Sequence, residues 1–270
     1  MANKQAGQAL LIILLLMAVV LTISMAVISR SVTDLRVSRQ DEESSRAFSA
    51  AEAGIENAVA LGGSGDSSGT INGVDYTVAC TDQGGDVVFD FGKERFEQGK
   101  IQTVWLVNHD TNGEITTGGY GSGQLDLYWG TDANEQHPAL EATLYYKDGV
   151  VIKVKRAAYD ANAAANQNNF GAVTGGNFGI NGVTYYNSAS FDMPTGNSYY
   201  ALRLKLLYNN STSGMAVRGE DALPSQGTCC DSTAEVSASG VTRKIRQCRF
   251  YKAPPGIFDY VLYSGGNLVK

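Results

Sequence analysis

Proline is scarce in this chain, at five residues in 270, which excludes the composition of a long disordered stalk. Glycine occurs 31 times, which indicates a domain rich in turns and β-strands. The chain also lacks an excess of positive charge, because its formal net charge is −6 and its isoelectric point is about 5.0. This balance excludes the overall positive field of a nonspecific nucleic-acid-binding protein and suits solubility outside the cell.

Histidine is limited to two positions, and the signals for catalysis are weak. His109 and His137 both adjoin polar, turn-rich sequence, which favours a surface or turn position over a general base. Residues 65–69 match the G-x-S-x-G pattern of hydrolases but lack the preceding strand and following helix of a nucleophile elbow. Residues 110–114 imitate part of a calcium loop without its later bidentate glutamate, so a hairpin turn is favoured. The sequence therefore predicts no enzyme, no cofactor, no metal site and no small-molecule substrate.

Neither charge nor proline occurs between Gln8 and Ile28. At about 1.5 Å per residue, a helix of this length reaches roughly 31 Å, close to the thickness of a bilayer's hydrocarbon core. Its leucine, isoleucine and valine side chains contribute roughly 4 to 8 kcal/mol to insertion, which outweighs the cost of Gln8, Thr22 and Ser24. The segment is therefore predicted to span a membrane. A cleaved secretory signal peptide is the alternative, but it would have a shorter apolar region and a small-x-small cleavage site.

Proline is also absent from Arg30 to Leu61, and Gly54 is the only glycine there, so one helix of about fifty residues is predicted. Residues 38–46 are polar all round and are expected to be solvated or packed against other chains. Beyond them, apolar residues recur at three- and four-residue spacings, which predicts a stripe that docks on a globular domain. Its members are Phe48, Ala51, Ile55, Ala58 and Val59. A membrane anchor with a helical spacer and no role in assembly would account for the same stripe.

The first 61 residues combine three features in a fixed order. A short polar leader ends in Gly7, the apolar helix follows directly, and the phrase RAFSAAEAGIE occupies residues 46–56. In this order and without gaps, they resemble the class III signal and N-terminal helix of type IV pilins, and the phrase is most similar to PilX-type minor pilins. The resemblance covers less than a quarter of the chain.

The resemblance implies that a prepilin peptidase cuts after Gly7, so that Gln8 becomes the mature N-terminus and a candidate for N-methylation. The retained helix then leaves the membrane and packs among other pilin subunits; its assembly residues are Leu10, Leu11, Ile12, Leu15, Phe48 and Ile55. The glutamate usual at the fifth mature position would fall at Ile12 and is missing. In the family that carboxylate neutralises a neighbour's amino terminus, and an unpaired charge in an apolar core is costly. The departure therefore implies a minor subunit, not the bulk component.

Residues 70–270 are predicted to form a mainly antiparallel β domain, joined to the helix by a flexible connection at 62–69. The predicted fold class is α+β, and the length allows one large domain, of one lobe or two. Four dipeptides are typical of tight hairpins: Asn72-Gly73, Asn112-Gly113, Asp148-Gly149 and Asn181-Gly182. Predicted strands lie on both sides of Asp148-Gly149 and at 74–80, 87–91, 102–107, 124–129, 199–208, 233–239 and 241–251. The stretch 159–182 is predicted to be a long loop.

Cysteine occurs at four positions, all in the predicted β domain: Cys80, Cys229, Cys230 and Cys248. If the last hairpin turns at Ser239-Gly240, position 248 faces about 231 and lies near the adjacent pair. One disulfide from Cys248 to Cys229 or Cys230, with Cys80 taking the other, would suit an oxidising compartment. Four reduced, buried thiols are the alternative. A zinc site is disfavoured, because adjacent cysteines lack a two-residue spacer and no histidine is near them in sequence.

Five positive charges fall within ten residues near the C-terminus: Arg243, Lys244, Arg246, Arg249 and Lys252. With Phe250 and Tyr251 between them, they are candidates for binding DNA or an anionic glycan. Because side chains alternate along a strand, these cations would lie on both faces. This favours a solvated edge strand, whose charges prevent pairing with other strands, over a binding surface.

Two functions of different classes fit these features. The first is a minor type IV pilin-like subunit that displays its β domain for filament assembly, adhesion, motility or DNA uptake. The second is a single-pass, membrane-tethered surface-binding protein outside any filament. Both predict a protein of the inner or cytoplasmic membrane whose C-terminal domain is extracytoplasmic, and the first predicts a cell-surface pilus after assembly. The orientation is favoured by the leader resemblance and the cysteines, although Arg30, Arg36 and Arg39 follow the span and Lys4 alone precedes it.

Overall fold

The structure, a computed structural model, describes residues 6–60, 65–132 and 138–256, with side chains from Leu10 onward. The described residues form one α-helix, α1 (Ala6–Ala60), a short 3-10 helix (Phe91–Lys93) and sixteen strands. The strands are β1 (Ser67–Ile71), β2 (Val74–Gln83), β3 (Val88–Phe89), β4 (Arg95–Phe96), β5 (Ile101–Trp105), β6 (Val107–His109), β7 (Ile115–Gly119), β8 (Gln124–Trp129), β9 (Ala139–Asp148), β10 (Val151–Tyr159), β11 (Thr174–Ile180), β12 (Val183–Asp192), β13 (Ser198–Leu207), β14 (Ser213–Gly219), β15 (Gly227–Val236) and β16 (Val241–Phe250).

The described strands form four sheets. One has the order β1-β2-β15-β16, a second β10-β9-β13-β5, and a third β11-β12-β8-β14-β3 with β4 also paired to β14, while β6 and β7 form a small ribbon. The neighbouring strands of the second and third sheets, β1 with β2, and β6 with β7 run antiparallel. A long N-terminal helix followed by a mainly antiparallel β domain is the α+β architecture that the sequence predicts, and this prediction is confirmed.

The chain divides into two compact units. Of the described residues, the first comprises 6–60, 65–79 and 230–246, and the second comprises 80–132, 138–229 and 247–256. In the second unit, two sheets face each other as a β-sandwich. Inward side chains of β9 and β13, such as Leu144 and Leu202, share one buried cluster with Leu127 and Trp129 of β8 and Phe191 of β12.

Two of the predicted hairpins have the expected turns. Asn72 and Gly73 join β1 to β2, Asn181 and Gly182 join β11 to β12, and all four residues have positive φ, as a type I′ turn requires. The hairpin between β9 and β10 is shifted by one residue from the prediction. Val151 pairs with Asp148, so its central residues are Gly149 and Val150, and Gly149 takes the positive φ.

The predicted long loop at 159–182 is wrong at both ends. β10 runs to Tyr159, and β11 occupies 174–180, where glycine and asparagine conceal the strand pattern. Between them, the buried carboxylate of Asp160 organises the chain by accepting hydrogen bonds from the backbone N–H of Asn162 and the amides of Asn166 and Asn168, each at 2.8 Å. Burial alone would raise the pKa of Asp160, but these hydrogen bonds lower it below its usual value.

Other strands were also missed, for the same reason of composition. β1, β7 and β14 are rich in serine, threonine and glycine, which are weak strand signals in a single sequence. β1 begins at Ser67 and therefore lies partly inside the predicted linker at 62–69, of which residues 62–64 fall outside the described chain.

Candidate functional site

The apolar half of α1 leaves its large side chains exposed. From Leu10 to Ile28, fifteen large apolar side chains are 45–70% exposed, and Leu10, Leu11, Ile12 and Leu15 are among them. Burying one such side chain is worth about 1.5–3 kcal/mol, so this surface requires a cover of lipid or of other helices. Among the described residues, α1 is the one helix long and apolar enough to cross a membrane.

Between Leu10 and Ile28, the polar side chains are satisfied within the helix itself. The hydroxyl of Thr22 donates to the carbonyl oxygen of Val19, and that of Ser24 donates to the carbonyl oxygen of Val20, both at 2.8 Å. Such bonds hide a hydroxyl from an apolar surrounding, where an unpaired polar group costs several kcal/mol. Thr22 and Ser24 are therefore compatible with a membrane or with an apolar packing of helices.

The predicted processing residues lie at the start of α1. The helix begins at Ala6, so the backbone of Gly7 and Gln8 belongs to its first turn, and their side chains lie outside the described atoms. Residues 1–5 of the predicted leader also lie outside the described chain.

The C-terminal half of α1 packs on the first sheet through small residues. Ala47, Ala50, Ala51, Gly54, Ile55 and Ala58 are buried. A Cβ atom added at Gly54 would lie 2.6 Å from the Ser232 hydroxyl and 2.8 Å from the Tyr76 ring. The helix backbone therefore approaches the sheet more closely at this point than a residue with a side chain allows.

The position of Phe48 corrects the predicted stripe. Ala51, Ile55 and Ala58 are buried as expected and Val59 is half-buried, but Phe48 is 46% exposed. The buried face is centred on the alanines and Gly54. Phe48 follows Ala47 and therefore lies about 100° further around the helix, away from this face. A large side chain gave a stronger sequence signal than the alanines that make the contact.

Two arginines attach the helix to the same unit. Arg46 donates from Nη2 to the carbonyl oxygen of Asn72 at 2.7 Å, so it holds the turn between β1 and β2. Arg243 donates from Nε and Nη2 to the hydroxyl of Ser44, at 2.8 and 2.5 Å. Both attachments lie on the helix just before its small-residue contact, one to the turn between β1 and β2 and the other to β16.

The predicted cationic cluster lies on and just beyond an edge strand. β16 is the last strand of the first sheet, and its charged side chains are exposed. Arg243 binds Ser44, whereas Lys244 and Arg246 lie 3.4 and 3.9 Å from the carboxylate of Asp231. In the second unit, Arg249 and Lys252 are also exposed. Arg243 thus contacts the helix, whereas Lys244 and Arg246 lie near β15, and binding of DNA or a glycan stays a prediction.

All four cysteines are oxidised. Cys229 forms a disulfide with Cys248 across the last hairpin, and Cys80 and Cys230 are also disulfide-bonded, so no described cysteine is free. The predicted register placed position 248 opposite 231. The connection is instead four residues long, because β15 ends at Val236 and β16 begins at Val241.

The weak catalytic signals have structural explanations. Ser67 lies in β1 and is followed by another strand, so the nucleophile-elbow arrangement is not present there. The carboxylate of Asp110 accepts from the backbone N–H groups of Asn112 and Glu114, each at 2.9 Å, and this closes the hairpin between β6 and β7. The turn spans residues 110–114 and Gly113 alone among them has positive φ, so the tight type I′ turn predicted at Asn112-Gly113 is wrong. His137 lies outside the described residues, and no described cluster of histidine, cysteine, aspartate and glutamate is placed to hold a metal.

His109 is partly enclosed by aromatic rings. Its ring stacks on Tyr251 at 4.1 Å between centroids and meets the edge of Trp105 at 4.7 Å. Burial lowers the pKa of His109, while the Val107 backbone and the Asp110 carboxylate oppose this effect. The predicted turn position is thus at the edge of a packed aromatic cluster, which sequence spacing did not reveal.

One cavity of about 280 Å³ lies in the second unit. Its lining is mostly aromatic and apolar, including Phe89, Trp105, Phe250 and Tyr251, with Glu94 as its titratable side chain besides tyrosine. These residues do not pair a nucleophile with a base. Comparison of the chain with models of protein families, with characterised proteins and with solved structures finds no match.

Proposed function

We propose that this chain is a minor type IV pilin-like subunit that is processed, inserted and assembled through α1. The observation that carries this proposal is one continuous helix whose first half exposes an apolar surface and whose second half packs on a sheet. Such a helix can exchange lipid for the helices of neighbouring subunits without disturbing the domain at its other end. The leader ending in Gly7 supplies the cleavage position for a prepilin peptidase.

The exposed position of Phe48 is consistent with this proposal. Its ring is 46% exposed on the part of the helix beyond the apolar segment, where it is available to a neighbouring subunit. The β domain would then be displayed on the filament, where adhesion, aggregation, motility or DNA uptake are the functions it serves.

The mature N-terminus tests the proposal. Mass spectrometry of the protein from its native membrane is expected to find a chain that begins at Gln8, and immunogold labelling is expected to find it on sheared filaments as a minor component. Gly7→Val is expected to prevent cleavage and incorporation, whereas Ala2→Val, a matched change elsewhere in the leader, is expected to permit both. A mature chain that begins beyond Ser29 would contradict the proposal.

A single-pass membrane tether is the second candidate, and Ile12 favours it. A helix without a carboxylate at this position cannot neutralise a neighbour's amino terminus. A protein that retains Met1 and is never found on filaments is the outcome this alternative predicts.

A further inference from the structure

β10 forms the edge of a sheet in the second unit. The sheet order is β10-β9-β13-β5, so β9 covers one side of β10. The strand is nine residues long, contains no proline and is joined to β9 by a two-residue turn. A long edge with unpaired backbone groups can pair with another extended chain, and lysines on it restrict which chains do so.

The hydrogen-bonding direction of each residue in β10 follows from that turn. In a hairpin with a two-residue loop, the closing pair Asp148 and Val151 is hydrogen-bonded, and alternate residues of the strand then bond to β9. The even-numbered residues face the other way. The structure agrees at the far end, where the carbonyl oxygen of Ala158 accepts from the N–H of Gly171 at 2.7 Å.

Three residues remain open on this outer side. Within the described chain, no strand pairs with the outer N–H and C=O groups of Ile152, Val154 and Arg156. The side chains of Ile152 and Val154 are also 66% and 52% exposed. On one face the edge therefore offers backbone hydrogen bonds and the apolar side chains of Ile152 and Val154, beside Arg156, which lies 3.3 Å from the carboxylate of Glu141.

The opposite face of the strand is positively charged. Lys153 lies 2.5 Å from the carboxylate of Asp148, and Lys155 donates to the carbonyl oxygen of Asp192 and lies 5.4 Å from the centre of the Phe191 ring. A chain added to this edge would place every second side chain beside these lysines.

The lysines argue against a second copy of β10 as the partner. Open residues of the two copies would have to pair with each other in an antiparallel arrangement about a two-fold axis. In every register that pairs at least two of Ile152, Val154 and Arg156 with these residues of the other copy, Lys153 or Lys155 lies directly opposite a lysine of that copy. Such like-charge pairs are destabilising. Charge complementarity points instead to an acidic partner.

We propose that β10 binds an extended segment of a partner protein by strand addition, and that this segment carries apolar side chains on one face and acidic side chains on the other. Its apolar residues would lie opposite Ile152 and Val154, and its acidic residues opposite Lys153 and Lys155. The proposal stands independently of assembly through α1.

Binding of a fluorescein-labelled heptapeptide of alternating glutamate and valine tests this site. The full-length oxidised protein in detergent micelles is titrated and fluorescence anisotropy is measured. Methylation of the valine amides removes the donors that face β10, and it is expected to weaken binding by at least about tenfold. Methylation of the glutamate amides affects the solvent edge of the peptide and is expected to leave binding unchanged.

Two variants test whether the peptide binds at β10. Val154→Pro removes an outward N–H without touching the bonds to β9 and is expected to weaken binding at least about tenfold, whereas Val154→Ala, which keeps the N–H, is expected to retain most of it. Circular dichroism and tryptophan fluorescence check that both variants fold. Absence of wild-type binding, or equal binding of the two methylated peptides, would overturn the proposal. Sedimentation that finds a dimer abolished by Val154→Pro would overturn it in favour of a second copy.

Discussion

At the scale of single residues, Gly54 gives a physical reason for the helical phrase around it. The neighbouring alanines are small, and Gly54 itself lies where a Cβ would meet the Ser232 hydroxyl and the Tyr76 ring. The sequence resemblance identified this phrase but did not say which face it buries. The contact explains why alanine and glycine, not Phe48, determine how the helix packs.

Gly54→Ala is expected to destabilise the helix contact, although alanine is the better helix former by about 1 kcal/mol. The added methyl group overfills the contact, at a cost of roughly 1–3 kcal/mol. Hydrogen exchange of the amides at 47–58 is expected to speed up. Ser49→Ala, at an exposed position of the same helix, serves as the control and is expected to leave exchange unchanged. Addition of Ser232→Ala to Gly54→Ala is expected to restore part of the protection, and no restoration would contradict this account.

His109 gives the second unit a dependence on pH. Burial lowers its pKa from the usual 6.5, so the folded state holds a proton less readily than the unfolded state. Its contribution to stability is therefore complete above about pH 6.5 and is lost as the pH falls through the folded value. Urea unfolding followed by tryptophan fluorescence is expected to show a free energy of unfolding that decreases from pH 7 to 5, and less steeply in His109→Phe. Equal slopes in the two proteins would show that burial does not lower the pKa of His109.

At the scale of elements, Gln226 replaces a strand at the edge formed by β5. Its amide oxygen accepts from the N–H of Trp105 at 2.6 Å, and its Nε2 donates to the carbonyl oxygens of Trp105 and Pro224 at 2.8 and 2.7 Å. One side chain thus satisfies the outward backbone groups of Trp105, which an additional strand would otherwise pair. At the opposite edge of the same sheet, the outward backbone groups of Ile152, Val154 and Arg156 in β10 have no such cover among the described residues.

Gln226→Leu is expected to destabilise the second unit by roughly 3 kcal/mol or more, because three buried backbone groups lose their partners at about 1–3 kcal/mol each. Tryptophan fluorescence during urea unfolding measures the change. Gln247→Leu, at an exposed position on β16, is the matched control and is expected to change stability by less than about 0.5 kcal/mol. Equal effects of the two substitutions would contradict the role assigned to Gln226.

Helix and turn signals in the sequence were more informative than strand signals. The long helix followed from a run without proline, and Asn72-Gly73 and Asn181-Gly182 specified their turns through a local requirement for positive φ. β11 and β14 depend on neighbours far along the chain, so glycine and serine within them concealed their pairing. Gln226 carries no local signal either, because its partner Trp105 lies 121 residues earlier.

At the scale of the whole molecule, the proposed assembly makes the missing carboxylate at Ile12 a determinant of how much of this chain enters a filament. Ile12→Glu is expected to increase the share of this chain in purified filaments, because the new carboxylate can neutralise a neighbour's amino terminus. Ile13→Glu places the same charge at the next helix position and is expected to reduce incorporation. Quantitative mass spectrometry of sheared filaments compares the two. Equal incorporation of both variants would show that position 12 has no special role.

The contact between Gly54 and Ser232 also has a consequence for the order of folding. The ribosome releases α1 first, whereas β15 emerges only when most of the chain has been made. During synthesis the alanine face of the helix therefore remains without its final partner until the last strands are made, so this contact forms late in folding.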